Sequence, residues 1–358
     1  MPDNGLERPP TPELCQFPGR LTTLTELQLP LDVLRDISSM GECANLRDLQ
    51  LHAPWEYATV GLTKEEWAAL LQLTQLTCLK VEAVIGDVTI GGPENAEEAF
   101  LDVLRQLRGL RVVGAHVWTI AALPVLQSLT NVTAVYGAWD LGEGVDLNGL
   151  ASPHIRELGR ASGSIPWQVL PNLTSLTLET DCVENQQALC TCCTGLQRLV
   201  FYPPTDHYVR DQHAEYVSAF ASLAKLQHLT HLELSAVNDA EFMAFTSAAA
   251  AANTLQLQYL RMHAPYGMLT VVTLMKVRGV QELRLDVSTN RCWVVGGSIP
   301  ADAARGLLVG LAHVPKVSLV LCTEQQRSVV EAARQWAADM GLPLPAVLKV
   351  SVSAPKRH

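Results

Sequence analysis

Ten side chains in the second half of the sequence hold most of its potential for chemistry: Arg198, Tyr202, His231, Glu233, Tyr259, Arg261, His263, Glu282, Arg284 and Asp286. Most of them alternate with apolar neighbours, as in Tyr259-Leu-Arg261-Met-His263 and Glu282-Leu-Arg284-Leu-Asp286. A spacing of two sends them to one face of an extended strand. Arg and Tyr are over-represented among residues that dominate binding energy, so the set reads as a recognition surface for a protein partner. A solvated strand face is polar for a simpler reason as well, and Arg and Glu on neighbouring strands neutralise each other. The pair Tyr202 and Tyr259 favours recognition, because solubility does not require it. His231, Glu233 and His263 could also supply general acid and base groups, which makes an enzyme with a dispersed site a further reading, although nothing visible activates them.

Local catalytic signatures do not occur. There is no phosphate-binding Gly-x-x-x-x-Gly-Lys-Ser/Thr loop, no Gly-x-Gly-x-x-Gly turn, no Gly-x-Ser-x-Gly elbow and no His-Glu-x-x-His pair. His213-Ala-Glu215 opens like a zinc deaminase motif but lacks the Pro-Cys-x-x-Cys that completes it. Cys190-Thr-Cys192-Cys193 offers thiolates without further ligands at zinc spacing, so these are read as inert thiols. His228 and His231 belong to a turn and to a strand face, which speaks against a shared metal. No catalytic residue, cofactor or metal is therefore expected, and the chain is read as a non-enzyme.

The elements that position these residues come from one phrase: apolar, two residues, apolar, one residue, apolar. Clear copies start at Leu24, Leu46, Leu76, Leu173, Leu196, Leu229, Leu257, Val280 and Val314, and weaker ones at Leu110, Val132, Ile155 and Val347. Thirteen copies result, with starts 18 to 34 residues apart. Each phrase alternates like a half-buried strand. The intervals carry helical spacing and helix-start signals at Thr63, Asn95, Asn238 and Thr323.

This phrase is the strand signature of leucine-rich repeat proteins, which the sequence resembles over residues 21–353. The irregular repeat length and helical intervals are most similar to the ribonuclease-inhibitor and F-box-associated subclasses. The resemblance implies an α/β leucine-rich repeat solenoid, a horseshoe with a parallel concave sheet of about thirteen strands and helices on the convex side. The family's Asn or Cys ladder, three residues past the third apolar position, is not kept: Asp32, Pro54, Val84, Asp181, Pro204, Val237 and Ser288 stand there. Uneven turns are expected in consequence. Residues 1–20 form a Pro-rich tail or cap and residues 354–358 a short tail.

In this register the third, fifth and seventh places face the concave side. Early copies present Glu26, Gln28, Asp48, Gln50, His52, Lys80 and Glu82; the middle presents Val112, Gly114, Ala134, Tyr136, Ala138, Gly159 and Ala161; the ten residues above follow from the eighth copy on. Aromatic residues such as Trp55, Trp118, Trp139, Trp167, Tyr208, Tyr266 and Trp293 are placed in the loops after the strands, where plugging the core end is favoured over ligand contact. Leu29 to Ile37 is reminiscent of the opening of an F-box, but the next strand follows too soon for that module. A substrate-recognition subunit of a ubiquitin ligase, acting through an adaptor, is the alternative reading.

Composition agrees with a folded chain of 358 residues, 48% apolar and 17% charged. The formal charge of −10 argues against nucleic acid and anionic membranes and mildly favours a basic partner surface. No signal peptide or membrane span is expected. Nine Cys, an odd number, fit reduced thiols rather than a disulfide framework. An intracellular, cytoplasmic protein follows, with the nucleus left open, and the sequons Asn131-Val-Thr133 and Asn172-Leu-Thr174 would stay unglycosylated.

Overall fold

The computed structural model describes residues 23–30, 43–52, 64–82, 96–141, 146–147, 149–179, 183–202, 213–235, 239–252, 256–263, 279–286, 299–321 and 323–353. The chain forms two compact units, Met1–Ala138 and Trp139–His358. The tails at 1–20 and 354–358, the F-box-like stretch beyond Pro30, the seven ladder positions and Trp55, Tyr208, Tyr266 and Trp293 lie outside the described residues.

In the first unit β1 (Glu26–Pro30), β2 (Asp48–His52), β3 (Cys78–Glu82), β4 (Val112–Thr119) and the greater part of β5 (Ala134–Asp140) alternate with α1 (Lys64–Ala69), α2 (Ala96–Gln106) and α3 (Ala122–Ser128). In the second, β6 (Glu157–Ala161), β7 (Ser175–Leu178), β8 (Arg198–Phe201), β9 (His231–Ser235), β10 (Tyr259–His263), β11 (Glu282–Asp286), β12 (Lys316–Leu321) and β13 (Val347–Val352) carry between them α4 (Val183–Cys192), α5 (His213–Ser222), α6 (Asp239–Ala252), α7 (Ala301–Gly310) and α8 (Glu324–Asp339). The thirteen strands are ordered in the sheet as in the sequence, and the pairs are parallel. Helical return segments suit this, because parallel neighbours need a crossover connection. No helix among the described residues is long and apolar enough to cross a membrane.

The first twelve strands each begin two residues after the first apolar position of a phrase, at Glu26, Asp48, Cys78, Val112, Ala134, Glu157, Ser175, Arg198, His231, Tyr259, Glu282 and Lys316. In the inner repeats the apolar trio is buried to the last atom or nearly so, as at Leu46, Leu49 and Leu51 or Leu257, Leu260 and Met262, whereas Leu24, Leu27 and Leu29 at one end and Leu348, Val350 and Val352 at the other are partly exposed. A fourth buried position precedes it by three residues. In nine described repeats the N–H of the first apolar residue donates to the carbonyl of that position, as from Leu76 to Leu73, Leu196 to Cys193 and Leu229 to Leu226, closing a tight turn before the strand. Helix starts agree with the capping signals: α1, α2, α6 and α8 begin one residue after Thr63, Asn95, Asn238 and Thr323. The first three caps lie outside the described residues. The Thr323 hydroxyl accepts from the Gln326 N–H at 3.2 Å, the geometry of an N-cap.

Three expectations are corrected. The last copy does not start at Val347: the register sets Val347 opposite Lys316 and Leu348 opposite Val317, so its first position is Pro345 and its inward residues are Leu348, Val350 and Val352. Ala161 does not face the open side. The pairing of β6 with β7 shifts between Leu158 and Ala161, with Arg160 at φ 52°, and the extra residue turns Ala161 into the core. Trp118 and Trp139 are not loop residues but belong to β4 and β5, and like Trp167 they are buried, as core plugs are. The Trp118 indole N–H donates to the Tyr136 carbonyl at 2.8 Å.

Gly163 enforces the close approach beside this bulge. Its φ is +74°, and a Cβ on it would lie 2.1 Å from the Trp139 carbonyl oxygen. We expect Gly163→Ala to destabilise the protein by more than about 2 kcal/mol in urea unfolding, since strain and overlap add. Gly149→Ala, with φ +80° but nothing within 4 Å of the new Cβ, should cost about 1 kcal/mol.

Candidate functional site on the open face of the second unit

Strand register turns the ten predicted residues into rows. Arg198, His231, Tyr259, Glu282 and Lys316 are successive partners across β8 to β12. A second row runs Val200, Glu233, Arg261, Arg284 and Ser318, and a third Ser235, His263, Asp286 and Val320. Tyr202, just past β8, reaches the third row, its ring centroid 6.0 Å from that of His263. The structure thus brings all ten to one side of the sheet, opposite the buried leucines of the same strands. Lys316 and Ser318 extend the rows, and applying the alternation to the twelfth phrase would have found them.

Charges on this face are paired unevenly. Glu233 is the hub: one oxygen accepts from Arg198 at 3.1 Å and the other from Arg261 at 3.3 Å, with its side chain only 12% exposed. Lys316 donates to Glu282 at 2.6 Å, and His263 Nδ1 lies 3.6 Å from Asp286. His231 stacks on Tyr259, centroids 5.9 Å apart. Burial, with the Glu233 carboxylate adding to it, raises the hydroxyls of Tyr202 and Tyr259 above the ordinary tyrosine value, so both stay neutral donors at physiological pH.

The acid–base reading loses its geometry here. His263 pairs with Ser235, four residues beyond His231 along the strands, which separates the two imidazoles by about 13 Å of strand rise. Each is engaged elsewhere, His231 with the Thr230 hydroxyl at 2.9 Å and His263 beside Asp286. No concerted task for the trio follows from this placement.

In the first unit the middle repeats hold a different device. Lys80 pairs with Gly114, and its ammonium lies over the Tyr136 ring, 4.0 Å from the centroid. The path is open because Gly114 has no side chain: a Cβ there would meet Lys80 Cγ at 3.1 Å and Tyr136 Cβ at 3.3 Å. Nearer the start of the unit the amides of Gln28 and Gln50 and the Asp48 carboxylate form a short chain of hydrogen bonds.

The strands and the phrase together define the fold: it is an α/β leucine-rich repeat fold, its described repeats built of a parallel strand with a helical or turn-like return. No family model matches the chain, and no curated protein matches it. Among solved structures it is similar to TLR13 in its complex with ssRNA13 (TM-score 0.35, 13% identity over 82% of this chain and 52% of that one). It is also similar to human 5T4, the trophoblast glycoprotein (0.37, 15%, 70% and 82%), and to a leucine-rich repeat protein of Leptospira interrogans (0.33, 12%, 95% and 86%). The chain spans about half the length of the TLR13 chain.

The cysteine cluster is accounted for by the repeat. Cys193 stands at the buried turn position that Leu73 and Leu226 hold elsewhere, and Cys190 is buried on α4 with the Ser222 hydroxyl 3.4 Å from its sulfur. Burial pushes the Cys193 thiol up to about 12. Iodoacetamide at pH 8 should therefore leave Cys193 unmodified in the native protein and label it after unfolding, as read by peptide mass mapping. Labelling of native Cys193 at the rate of a free thiol would contradict this packing.

Proposed function

We propose that the protein is a non-enzymatic interaction scaffold whose repeat domain, residues 21–353, binds a protein partner across the open face of β8 to β12. The observation that carries this reading is the alignment of Arg198, Arg261 and Arg284 with Tyr202 and Tyr259 on adjacent strands. Arg and Tyr anchors on rigid elements lose little entropy on binding. The interleaved carboxylates Glu233, Glu282 and Asp286, and the net charge of −10, weigh against an extended phosphate backbone, even though TLR13 was crystallised with RNA. Free thiols at Cys78, Cys190, Cys192 and Cys193 support an intracellular setting.

The test is affinity capture with the intact chain, identification of the retained protein, and titration of that protein in purified form. Arg261→Glu and Tyr259→Ala should each weaken binding by about tenfold or more. Unchanged affinity in both variants would place the partner elsewhere on the molecule.

A further inference from the structure

Four basic residues of the face have a carboxylate within reach, and one, Arg284, forms no ion pair among the described residues. Glu233 serves Arg198 and Arg261, Glu282 serves Lys316, and Asp286 lies beside His263. Among the described residues Arg284 has no ion pair and no hydrogen bond to its side chain, although it stands between Glu282 and Asp286 on β11. It is the direct register partner of Arg261, one strand away, at a spacing of about 4.8 Å. Like charges directly opposite each other on neighbouring strands are destabilising. The Nε atoms of both guanidiniums and Nε2 of His263 are covered and lack a hydrogen-bond partner. These three nitrogens occupy one small patch of β10 and β11.

A group that relieves this patch must be anionic, must accept several hydrogen bonds, and must be small. We infer that an acidic side chain of the bound protein segment, an Asp or Glu carboxylate, docks between Arg261 and Arg284. Guanidinium groups grip a carboxylate through two parallel N–H donors, and a shift of each side chain onto the ligand brings its covered Nε into use. Tyr259, beside Arg261 on the same strand face, supplies a neutral hydroxyl donor. Glu233, Glu282 and Asp286 surround the spot, so the partner's acidic residue is flanked by basic or neutral ones. That reconciles a local demand for one carboxylate with a chain of charge −10. A run of phosphates would set further anions against those three carboxylates, which is why a protein segment is favoured over nucleic acid.

The inference rests on the scaffold reading and is separable from it. A random-peptide display library is selected against the immobilised full chain, and the enriched peptides are titrated by fluorescence anisotropy at low and moderate salt. Enrichment of Asp or Glu at one position is expected, with a loss of about tenfold or more when that residue becomes Asn or Gln, and a similar loss in Arg284→Gln. Arg284→Lys should recover part of the affinity. Arg284→Gln should melt no lower than the parent chain, because it removes a like-charge pair, whereas a structural role for Arg284 would lower the melting temperature. Peptides released by Tyr259→Ala but indifferent to their own acidic residue and to Arg284 would overturn the carboxylate site and leave the scaffold reading standing. Peptides insensitive to Tyr259, Arg261 and Arg284 alike would overturn both. A single-stranded oligothymidylate that displaces the peptides and binds more tightly would overturn the choice of a protein ligand.

Discussion

In most repeats one backbone carbonyl holds the next strand in register. It belongs to the residue after the first apolar position and accepts two N–H groups from the next repeat, or one at Gln281 and Pro315. Thr25 takes those of Arg47 and Asp48, Arg47 those of Thr77 and Cys78, Arg156 those of Thr174 and Ser175, and Gln197 those of Thr230 and His231. The hydroxyls of Thr77, Thr174 and Thr230, which follow at that place, donate to the same oxygen at 3.1 to 3.2 Å. A slip of one residue would turn every leucine outward, so these shared acceptors decide which side of the sheet is core. They sit at the strand entry, the opposite end from the Asn or Cys ladder that the sequence lacks. The return segments are then free to vary in length and form.

Because the rows are fixed by backbone, the chemistry of the open face is set strand by strand. A change of residue type in one repeat alters the neighbours of two others without moving them. Glu233 shows what that geometry produces: a half-buried carboxylate braced from both sides by Arg198 and Arg261, whose guanidiniums it orients. Exposed single ion pairs contribute little to stability. A carboxylate held between two arginines serves better to preorganise those arginines, and preorganised side chains are what a binding surface needs.

Much of this was legible in the residues. The phrase located twelve strands to the residue and put all ten candidate side chains on one face. It failed where a phrase can be read twice. Val347, Leu348, Val350 and Val352 satisfy the pattern in two frames, and Pro345 at the true first position hides the correct one. It failed again at β6, where Gly159-Arg160 adds a residue that alternation cannot foresee, and at β4 and β5, which run on far enough to include their tryptophans. The buried turn position was missed because its occupants differ in chemistry, Cys43, Leu73, Leu129, Ser152 and Cys193 among them. What they share is a place in the turn and a small or apolar side chain. The uneven pairing around Arg284 was beyond any pattern, since it depends on which carboxylate each cation reaches.

The two sequons show how repeat physics can imitate a functional motif. Asn131 precedes the first apolar residue of its repeat, and its side-chain amide donates to the Arg108 carbonyl of the repeat before at 3.0 Å. Asn172 does the same toward Pro153 at 2.8 Å. The Thr two residues on, Thr133 or Thr174, sends its N–H to the shared acceptor at the strand entry. Asn and Thr therefore stand two apart because both stack one repeat on the next, with the buried Val132 or Leu173 between them. The spacing that reads as a modification signal is the spacing of the solenoid's own hydrogen bonds. A glycan on either Asn would have to form at a nitrogen already committed to the neighbouring repeat.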